Sequence, residues 1–350
     1  MDDYYKLLER LSYLTHSYRE DELGPISVEH VEKWASQFES ESRYGIINEL
    51  CHVFEYLYLS KEDFYKYLRA VVNSDKLSNN NPYTFWSNVS ILNIQKNGSS
   101  QDELVSLINK VIKSELNINF KNNNDRVFVY LDDGLFSGLR TCTDLESWIE
   151  STPDDIEIYF VFCVAYRSGL FRLEKFINDL RMRLNKKIKF QLYALLTMEN
   201  RKYYIDKSEV LWPVAVPSDS LLEEYVASEQ RFPFIPRHVI TSSCCKYFSS
   251  EAGRQLLERE FLLAGMKIRS FSQNPARNLR PLGFSSFGLG FGSLVVTYRN
   301  CPNNCPLALW WGDVTAPSHH PFSKWYPLFP RKTYGDSSSF TAGSVVIFEE

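Results

Sequence analysis

The sequence predicts an α/β fold: a parallel sheet with flanking helices, an N-terminal helical subdomain and a C-terminal mixed hood. Apolar strands alternate with amphipathic helices between residues 89 and 196, which is typical of βαβ crossovers. Helical periodicity dominates the first 75 residues, and most of the prolines lie after residue 230. We therefore expect a helical subdomain at 1–80, an α/β core at 81–230 and a hood at 231–350.

The N-terminal helices are predicted from apolar residues at three- and four-residue spacing. Val28–Phe38 carries four such residues on one face, and Ile46–Leu57 and Lys61–Val72 continue the pattern. These helices would pack on the rest of the protein or offer a docking surface to a partner. The polar stretch 73–88 predicts a linker.

The core is predicted to contain four strands and the helices between them. The strands are Val89–Ile94, Val127–Leu131, Ile156–Val164 and Ile188–Leu196. The helices are approximately Asp102–Ser114, Thr141–Glu150 and Phe171–Leu184. Short strands separated by helices of this length favour one parallel sheet with helices on both faces.

The hood is predicted to hold one helix, Ser249–Ala264, and two strands, Phe291–Tyr298 and Leu307–Trp311. On a strand, Trp310 and Trp311 would point to opposite faces, so one would pack in the core and the other could stack on a base. The Gly288–Gly292 and Asn303-Asn304 segments are either ligand loops or tight turns.

Composition limits the classes of function. The formal net charge of −4 gives no overall basic field for nucleic acid. A local basic stretch would be a solvated surface or a phosphate-binding surface; it consists of Arg254, Arg259, Lys267, Arg269, Arg277 and Arg280. There is no apolar run of membrane-spanning length and no secretory signal, so a cytoplasmic location without a membrane partner is expected.

Cysteine usage is consistent with that location. Seven cysteines without framework spacing predict reduced thiols. Cys244-Cys245 and Cys301-x3-Cys305 could supply four zinc ligands, but their spacing departs from usual zinc sites and favours free thiols.

The segment Val127–Arg140 carries the strongest chemical signal. A buried strand is followed by Asp132 and Asp133, a short loop with Ser137 and Gly138, and a predicted helix. Backbone N–H groups at a helix start form a phosphate cradle. The two acids beside it can hold sugar hydroxyls, directly or through Mg²⁺. The alternative is an Asp-Gly turn followed by helix capping.

A second junction, Ile94–Gln101, lies one βα unit earlier. Gly98 and Ser99 could present amides to a diphosphate, and Ser100 could cap the following helix. A Gly-Ser-Ser turn is also common without a ligand.

The segment Val127–Arg140 resembles the ribose-phosphate loop of type I phosphoribosyltransferases. The resemblance implies that Asp132 and Asp133 hold the ribose 2- and 3-hydroxyls, with Mg²⁺ as a cofactor. It implies that the 5-phosphate is bound by Leu135, Phe136, Ser137, Gly138, Leu139 and Arg140. Phe136 stands where a Thr is common and Arg140 where a small hydroxyl residue is common, which puts ordinary nucleotide salvage in doubt. Arg140 could add a charge-assisted phosphate contact.

Motifs in the C-terminal third resemble a more specific family. They are Phe248–Arg254, Arg280–Phe284, Gly290–Gly292 and Asn300–Leu307 followed by Trp310-Trp311. These motifs, with Trp34, Gln37-Phe38 and Arg43, are similar to the phosphoribosyltransferase-like effectors of prokaryotic conflict systems, PRTase-CE, over roughly residues 25–335. The resemblance implies an antiviral defence role and a partner such as a reverse transcriptase or a helix-turn-helix regulator.

Three functions from different classes follow. The first is a transferase or a hydrolase acting on phosphoribosyl diphosphate or a nucleotide through an oxocarbenium-like state. The second is a non-catalytic module that senses a nucleotide and regulates a partner protein. The third is a structural subunit with a degenerate pocket, which the retained acids and loop argue against. No residue stands out as general acid or base.

Overall fold

The computed structural model describes residues 2–95, 100–229, 233–239, 246–286 and 288–331. No helix in this part of the chain is long and apolar enough to span a membrane.

The helices are given first in chain order. They are α1 (Asp2–Thr15), α2 (Glu20–Leu23), α3 (Val28–Ala35), α4 (Ser40–Leu57), α5 (Lys61–Val72), α6 (Asp75–Ser78), α7 (Pro82–Ser87), α8 (Ser100–Leu116), α9 (Leu139–Glu150), α10 (Arg167–Leu184), α11 (Ser220–Ser228), α12 (Glu251–Ser270) and α13 (Leu307–Trp310). The strands are β1 (Tyr58–Leu59), β2 (Ser90–Ile91), β3 (Val127–Leu135), β4 (Asp155–Tyr166), β5 (Lys187–Met198) and β6 (Val296–Thr297). Short 3₁₀ turns lie at Lys202–Lys207 and Pro321–Lys324.

The chain divides into two compact units. One is the continuous segment Glu62–Arg201, and the other combines Met1–Lys61 with Lys202–Glu350. We call them the sheet unit and the helical unit. The three-part division at 80/81 and 230/231 stays a prediction, since compactness alone does not test it.

The sheet unit confirms the predicted parallel α/β architecture. Its four strands lie in the order β2-β3-β4-β5, and every neighbouring pair is parallel. The register aligns Phe128 with Ile158 and Ile158 with Phe190. Even-numbered residues therefore share one face across the sheet, because side chains alternate along a strand.

Helices cover both faces of this sheet. The even face packs its apolar residues on α9 and α10, through residues such as Leu145 and Leu173. On the odd face, the Tyr67 hydroxyl of α5 donates to the Phe162 carbonyl at 2.7 Å. The Trp86 indole N–H of α7 donates to the Val72 carbonyl at 2.9 Å, which ties α7 to α5.

The polar stretch 73–88 is not a linker. It folds into α6 and α7, whose N-termini are capped by the Ser74 and Asn81 side chains. Its asparagines and serines supply helix caps and a left-handed turn at Asn79 and Asn80, so they end and start helices instead of spacing domains.

The helical unit holds the residues that were predicted as hood. Trp34 of α3 and Trp325 both donate their indole N–H to the Ala308 carbonyl, at 2.8 and 3.0 Å. Its only regular pairing among the described residues is the two-residue parallel contact of β1 with β6.

Both predicted hood strands are corrected. Of Phe291–Tyr298 only β6 is a strand, and Leu307–Trp311 forms the short helix α13 instead. Trp310 and Trp311 are both buried, so neither offers a ring to a base. The Gly288–Gly292 segment lies in turns closed on Leu282, which accepts from Gly292 N–H at 2.7 Å and donates to Leu289 at 2.9 Å.

The local basic stretch is not a continuous solvated surface. Arg254 is buried and bonds the Glu258 carboxylate at 2.8 Å. Arg280 is fully buried and bonds Glu229 at 3.0 Å. An arginine is tolerated in the interior only with such partners. These two arginines therefore belong to the fold and are not available to bind a phosphate ligand.

Candidate functional site

Strand β3 runs through the two acids instead of ending before them. Asp132 pairs with Phe162, and pairing continues through Gly134 to Leu135, which lies beside Ala165. The predicted end at Leu131 is therefore four residues short. The long strand β4 extends the ladder, so the loop between β3 and α9 contains only Phe136, Ser137 and Gly138.

The two acids lie on opposite faces of the sheet. Asp132 is on the even face with α9 and α10, and Asp133 is on the odd face. Both side chains are partly exposed. The Asp133 N–H donates to the Asp132 carboxylate at 2.8 Å, which fixes that carboxylate against its own strand.

The loop after β3 is held in one conformation by glycine contacts. Gly138 has φ of 77°, in the left-handed region that favours glycine. A Cβ at Gly138 would lie 2.9 Å from the Gly169 carbonyl oxygen, and one at Gly169 would lie 2.3 Å from the Phe136 carbonyl oxygen. The loop therefore packs backbone to backbone on the start of α10.

Helix α9 begins without a capping side chain on its N-cap residue, which is Gly138. The Leu139 N–H donates to the Ser137 hydroxyl at 3.4 Å. The first turn of any helix leaves N–H groups without intrahelical acceptors, and the helix dipole makes that end favourable for anions. Small residues and a bare N-cap thus leave room for a phosphate group here.

The neighbouring helix α10 is different, because a side chain from another strand caps it. The Ser168 N–H donates to the Asn200 carbonyl oxygen at 3.0 Å, and the Asn200 amide donates to the Ser168 hydroxyl at 2.8 Å. Asn200 follows β5 and is buried. The protein itself satisfies this helix start, which leaves the β3–α9 junction as the better anion position.

A polar cluster lies under the β3–α9 junction. Burial raises the pKa of Tyr130 well above its ordinary value, and the negative charge of Asp132 raises it further. The hydrogen bond with Thr141 and the positive charge of Arg140 lower the pKa of Tyr130, whereas the negative charge of Asp144 raises it. Thr141 is therefore within hydrogen-bond reach of this phenol, and the charges of Asp132, Asp144 and Arg140 act on it.

Thr141 and Asp144 were not predicted as site residues. Both are buried on the inner side of α9, at three-residue spacing beside the apolar Cys142 and Leu145. Polar residues at core positions of a helix are the sequence signal that could have found them, because buried polar groups need partners.

Other predicted phosphate-loop residues serve the fold through their side chains. Leu135 is buried at the end of β3. The Phe136 ring stacks on Tyr166, with centroids 5.2 Å apart. This stacking explains an aromatic residue where the resembling loop has Thr, and it leaves only the Phe136 backbone for a ligand.

Gln101 organises the second junction and was also missed. Its side-chain oxygen accepts the N–H groups of Ile94 and Gln95 at 2.7 and 2.9 Å, and its amide donates to Leu131 at 3.4 Å. The Leu92 N–H still donates to the Val129 carbonyl of β3 at 2.8 Å, and the Gln101 side chain takes the N–H groups that follow. Ser100 is the first residue of α8, while Gly98 and Ser99 lie outside the described residues.

The described residues contain no group of three or more acidic, histidine or cysteine side chains able to hold a metal. Mg²⁺ commonly uses one or two protein carboxylates together with ligand phosphates and water. Asp132 and Asp133 fit that donor chemistry, and the metal remains a proposal. Cys301 and Cys305 are buried free thiols, and Cys244 and Cys245 lie outside the described residues.

Comparison with known proteins decides the family. The family model PRTase-CE matches residues 31–331. The chain belongs to the PRTase-CE family. No curated protein matches the chain.

The match agrees with the extent expected from the sequence and contains the whole β3–α9 junction of this PRTase-CE protein. It also contains the motifs around Arg254 and Arg280, whose buried ion pairs lie in the helical unit. Family membership therefore rests on both units of the PRTase-CE chain, and not on the ribose-phosphate segment alone.

Proposed function

We propose that this protein binds a ligand containing ribose 5-phosphate, such as phosphoribosyl diphosphate or a nucleotide, as part of prokaryotic antiviral defence. The observation that carries the proposal is the β3–α9 junction. It combines a helix start whose N-cap residue has no capping side chain, a glycine loop, Asp132 near the end of β3 and Arg140 in the first turn of α9.

Each part of the ligand has a matching group. The 5-phosphate would accept hydrogen bonds from the first amides of α9, with Arg140 adding positive charge. The ribose diol would meet Asp132 on the α9 face, and a bound Mg²⁺ held by one of the two carboxylates would neutralise diphosphate charge. No residue of the junction is an evident general base. The proposal is therefore ligand binding, and whether the protein also converts the ligand is tested by experiment.

The experiment uses ligands that differ by one feature. Thermal stabilisation of the purified protein with Mg²⁺ is measured for phosphoribosyl diphosphate, ribose 5-phosphate, 2-deoxyribose 5-phosphate and ribose. We expect stabilisation in that order, with ribose inactive, because it lacks the phosphate that the helix binds. Equal effects of ribose and ribose 5-phosphate would contradict the proposal.

The same incubations separate an enzyme from a sensor. Chromatography of the ligand pool shows release of diphosphate or base if the protein turns the ligand over. Saturable stabilisation with an unchanged ligand identifies the alternative, a non-catalytic module that senses a nucleotide for a partner protein.

A further inference from the structure

Three arginines of the helical unit converge on the end of α11. Tyr225 lies in α11, and Glu229 is the C-cap residue one turn further along. Arg280 donates to the Tyr225 hydroxyl at 3.1 Å and to the Glu229 carboxylate at 3.0 Å. Arg277 lies 4.0 Å from the other Glu229 oxygen, and Arg269 lies over the Tyr225 ring, 5.0 Å from its centroid. Three guanidinium groups therefore surround one phenol and one carboxylate.

One carboxylate does not balance the charge of three guanidinium groups. Among the described residues, Glu229 is the one acid whose charge acts on Arg269, and Arg269 makes a single hydrogen bond, to the Ala276 carbonyl at 3.2 Å. Burial lowers the pKa of Arg269 and so does the charge of Arg280, whereas Tyr225 and Glu229 raise it. Two positive charges are thus left without a counter-charge beside a partly buried group. Such an arrangement costs free energy unless an anion joins it.

Arg269 and Arg277 are open to a ligand, while Arg280 is not. Arg280 is fully buried, and carbonyl groups of the protein take up its remaining donors. The Arg277 side chain is 57% exposed. Arg269 is partly exposed and has N–H groups beyond the one that bonds Ala276. Because Ala276 precedes Arg277 in the chain, that bond brings the Arg269 guanidinium beside Arg277.

We propose that Arg269 and Arg277 bind a terminal phosphate group, with Arg280 adding positive charge without touching it. Two uncompensated positive charges match a phosphomonoester, which carries about two negative charges near pH 7. A carboxylate or a nucleic-acid phosphodiester carries a single charge and would leave the cluster positive. The planar guanidinium group suits paired hydrogen bonds to phosphate oxygens. The site lies in the helical unit and is separate from the β3–α9 junction of the sheet unit.

Titration calorimetry of the full chain tests the site, with inorganic phosphate, adenosine 5′-monophosphate and dimethyl phosphate as probes. The chain carries Ser137→Asp, whose carboxylate repels an anion from the start of α9, so the result does not depend on the function proposed above. We expect inorganic phosphate and the nucleotide to bind, and the singly charged dimethyl phosphate to bind at least about tenfold more weakly. Tighter binding of the nucleotide identifies a nucleotide as the source of the group, and equal affinities identify free phosphate.

Arg269→Gln should weaken phosphate binding by at least about tenfold, because a charged hydrogen bond is lost. The ligand-free melting temperature should not fall, because Glu229 keeps its bond to Arg280. Lys267→Gln is the matched control: it removes the same charge from the last turn of α12, at an exposed position, and should leave binding unchanged. A lower melting temperature with unchanged phosphate affinity would assign Arg269 to the end of the helix and overturn the proposal.

Arg277→Gln decides the question if Arg269→Gln fails to fold, because the Arg277 side chain is exposed. It should also weaken phosphate binding by about tenfold. Arg259→Gln is its control, since Arg259 is similarly exposed but pairs with Glu260 of the same helix. Phosphate affinity that neither Arg269→Gln nor Arg277→Gln lowers, or the absence of binding by both terminal phosphates, contradicts the site.

Discussion

Gly138 serves the fold at the position where a phosphate would bind. Its left-handed backbone starts α9, and its Cα side lies against Gly169. A bulky residue here would disturb the fold as well as any ligand, so loss of binding in Gly138→Val cannot by itself identify a phosphate cradle. The cleaner use of this residue is a stability measurement.

Gly138→Ala should lower the free energy of unfolding by more than the roughly 1–2 kcal/mol that a left-handed alanine costs. The excess comes from the approach of its Cβ to the Gly169 carbonyl. Gly288→Ala is the control, because Gly288 has φ of 64° with nothing near its Cβ position. Urea unfolding measures both, and equal losses would show that the loop does not pack tightly.

The acids differ in orientation, and this separates their predicted roles. Asp132→Asn should weaken phosphoribosyl diphosphate binding more than Asp133→Asn, because Asp132 lies on the sheet face that α9 covers. Loss of a charged hydrogen bond of about 1.5–3 kcal/mol corresponds to a factor of roughly ten to a hundred. The double variant should show no ligand-dependent stabilisation.

Titration calorimetry with Mg²⁺ measures these affinities, and melting without ligand is the control. Both acids are partly exposed, so the ligand-free melting temperature should change little. Unchanged affinity in the double variant would remove the diol role. A collapsed melting temperature would assign the acids to the fold.

At the scale of an element, the start of α9 offers a test that leaves the fold intact. Ser137→Asp places a carboxylate at the helix N-terminus, where it stabilises the helix by about 0.3–1 kcal/mol but occupies and repels an anion site. We expect binding of phosphoribosyl diphosphate to be lost and stability to be kept or raised. Ser137→Ala removes one hydrogen bond and should cost about tenfold at most.

Thr143→Asp is the matched control for Ser137→Asp. It adds the same charge six residues further along, within α9 and at an exposed position. Calorimetry should show near-normal binding for this variant. If both aspartates weaken binding equally, the effect is one of net charge and the α9 start is not the phosphate site.

Helix α3 holds the chain at Tyr326 and Leu328 through a partly buried histidine. His30 bonds the Leu328 carbonyl at 2.8 Å and the Tyr326 hydroxyl at 2.9 Å. Burial lowers the pKa of His30 below 6.5, an effect that the Leu328 carbonyl opposes. Below about pH 6.5 His30 therefore binds a proton in the unfolded chain more readily than in the folded chain. The free energy of unfolding falls as the pH drops below that value.

His30→Gln should reduce this acid-induced loss of stability, because the titrating group is gone while an amide can still form hydrogen bonds. Urea midpoints at about pH 5.5 and 7.5 bracket the ordinary histidine pKa and measure the difference. The exposed His319→Gln is the control. An unchanged pH dependence in His30→Gln would mean that folding does not change the pKa of His30.

At the scale of the whole molecule, the sheet unit is continuous in sequence and has its own core. A fragment of residues 62–201 should fold cooperatively, because it keeps α5 with its bonds to Phe162 and Trp86. A fragment of residues 81–230, the predicted core, loses those partners and should be less stable. Circular dichroism and urea unfolding compare them, and a better-folded 81–230 would favour the predicted boundaries.

Local pattern was sufficient for the long elements of the sheet unit, but not for its short helices α6 and α7. The apolar runs of β4 and β5 and the periodic faces of α8 and α10 repeat over many residues, so their existence and order follow from neighbours along the chain. Local motifs also indicated the family and the acidic segment that follows Leu131. Errors at these elements are confined to a few residues at their ends.

The remaining features depend on partners that are distant in sequence. β3 continues through Asp132 and Asp133 because β4 supplies a ladder, and Arg254 and Arg280 are buried because carboxylates meet them in the fold. The sequence by itself determined the four strands of the parallel sheet, the helices between them and the family. The tertiary structure decided which face each acid occupies, which helix start stays uncapped and which arginines are unavailable. The reason is physical: periodicity is carried by adjacent residues, whereas pairing and burial energies arise only when distant segments meet.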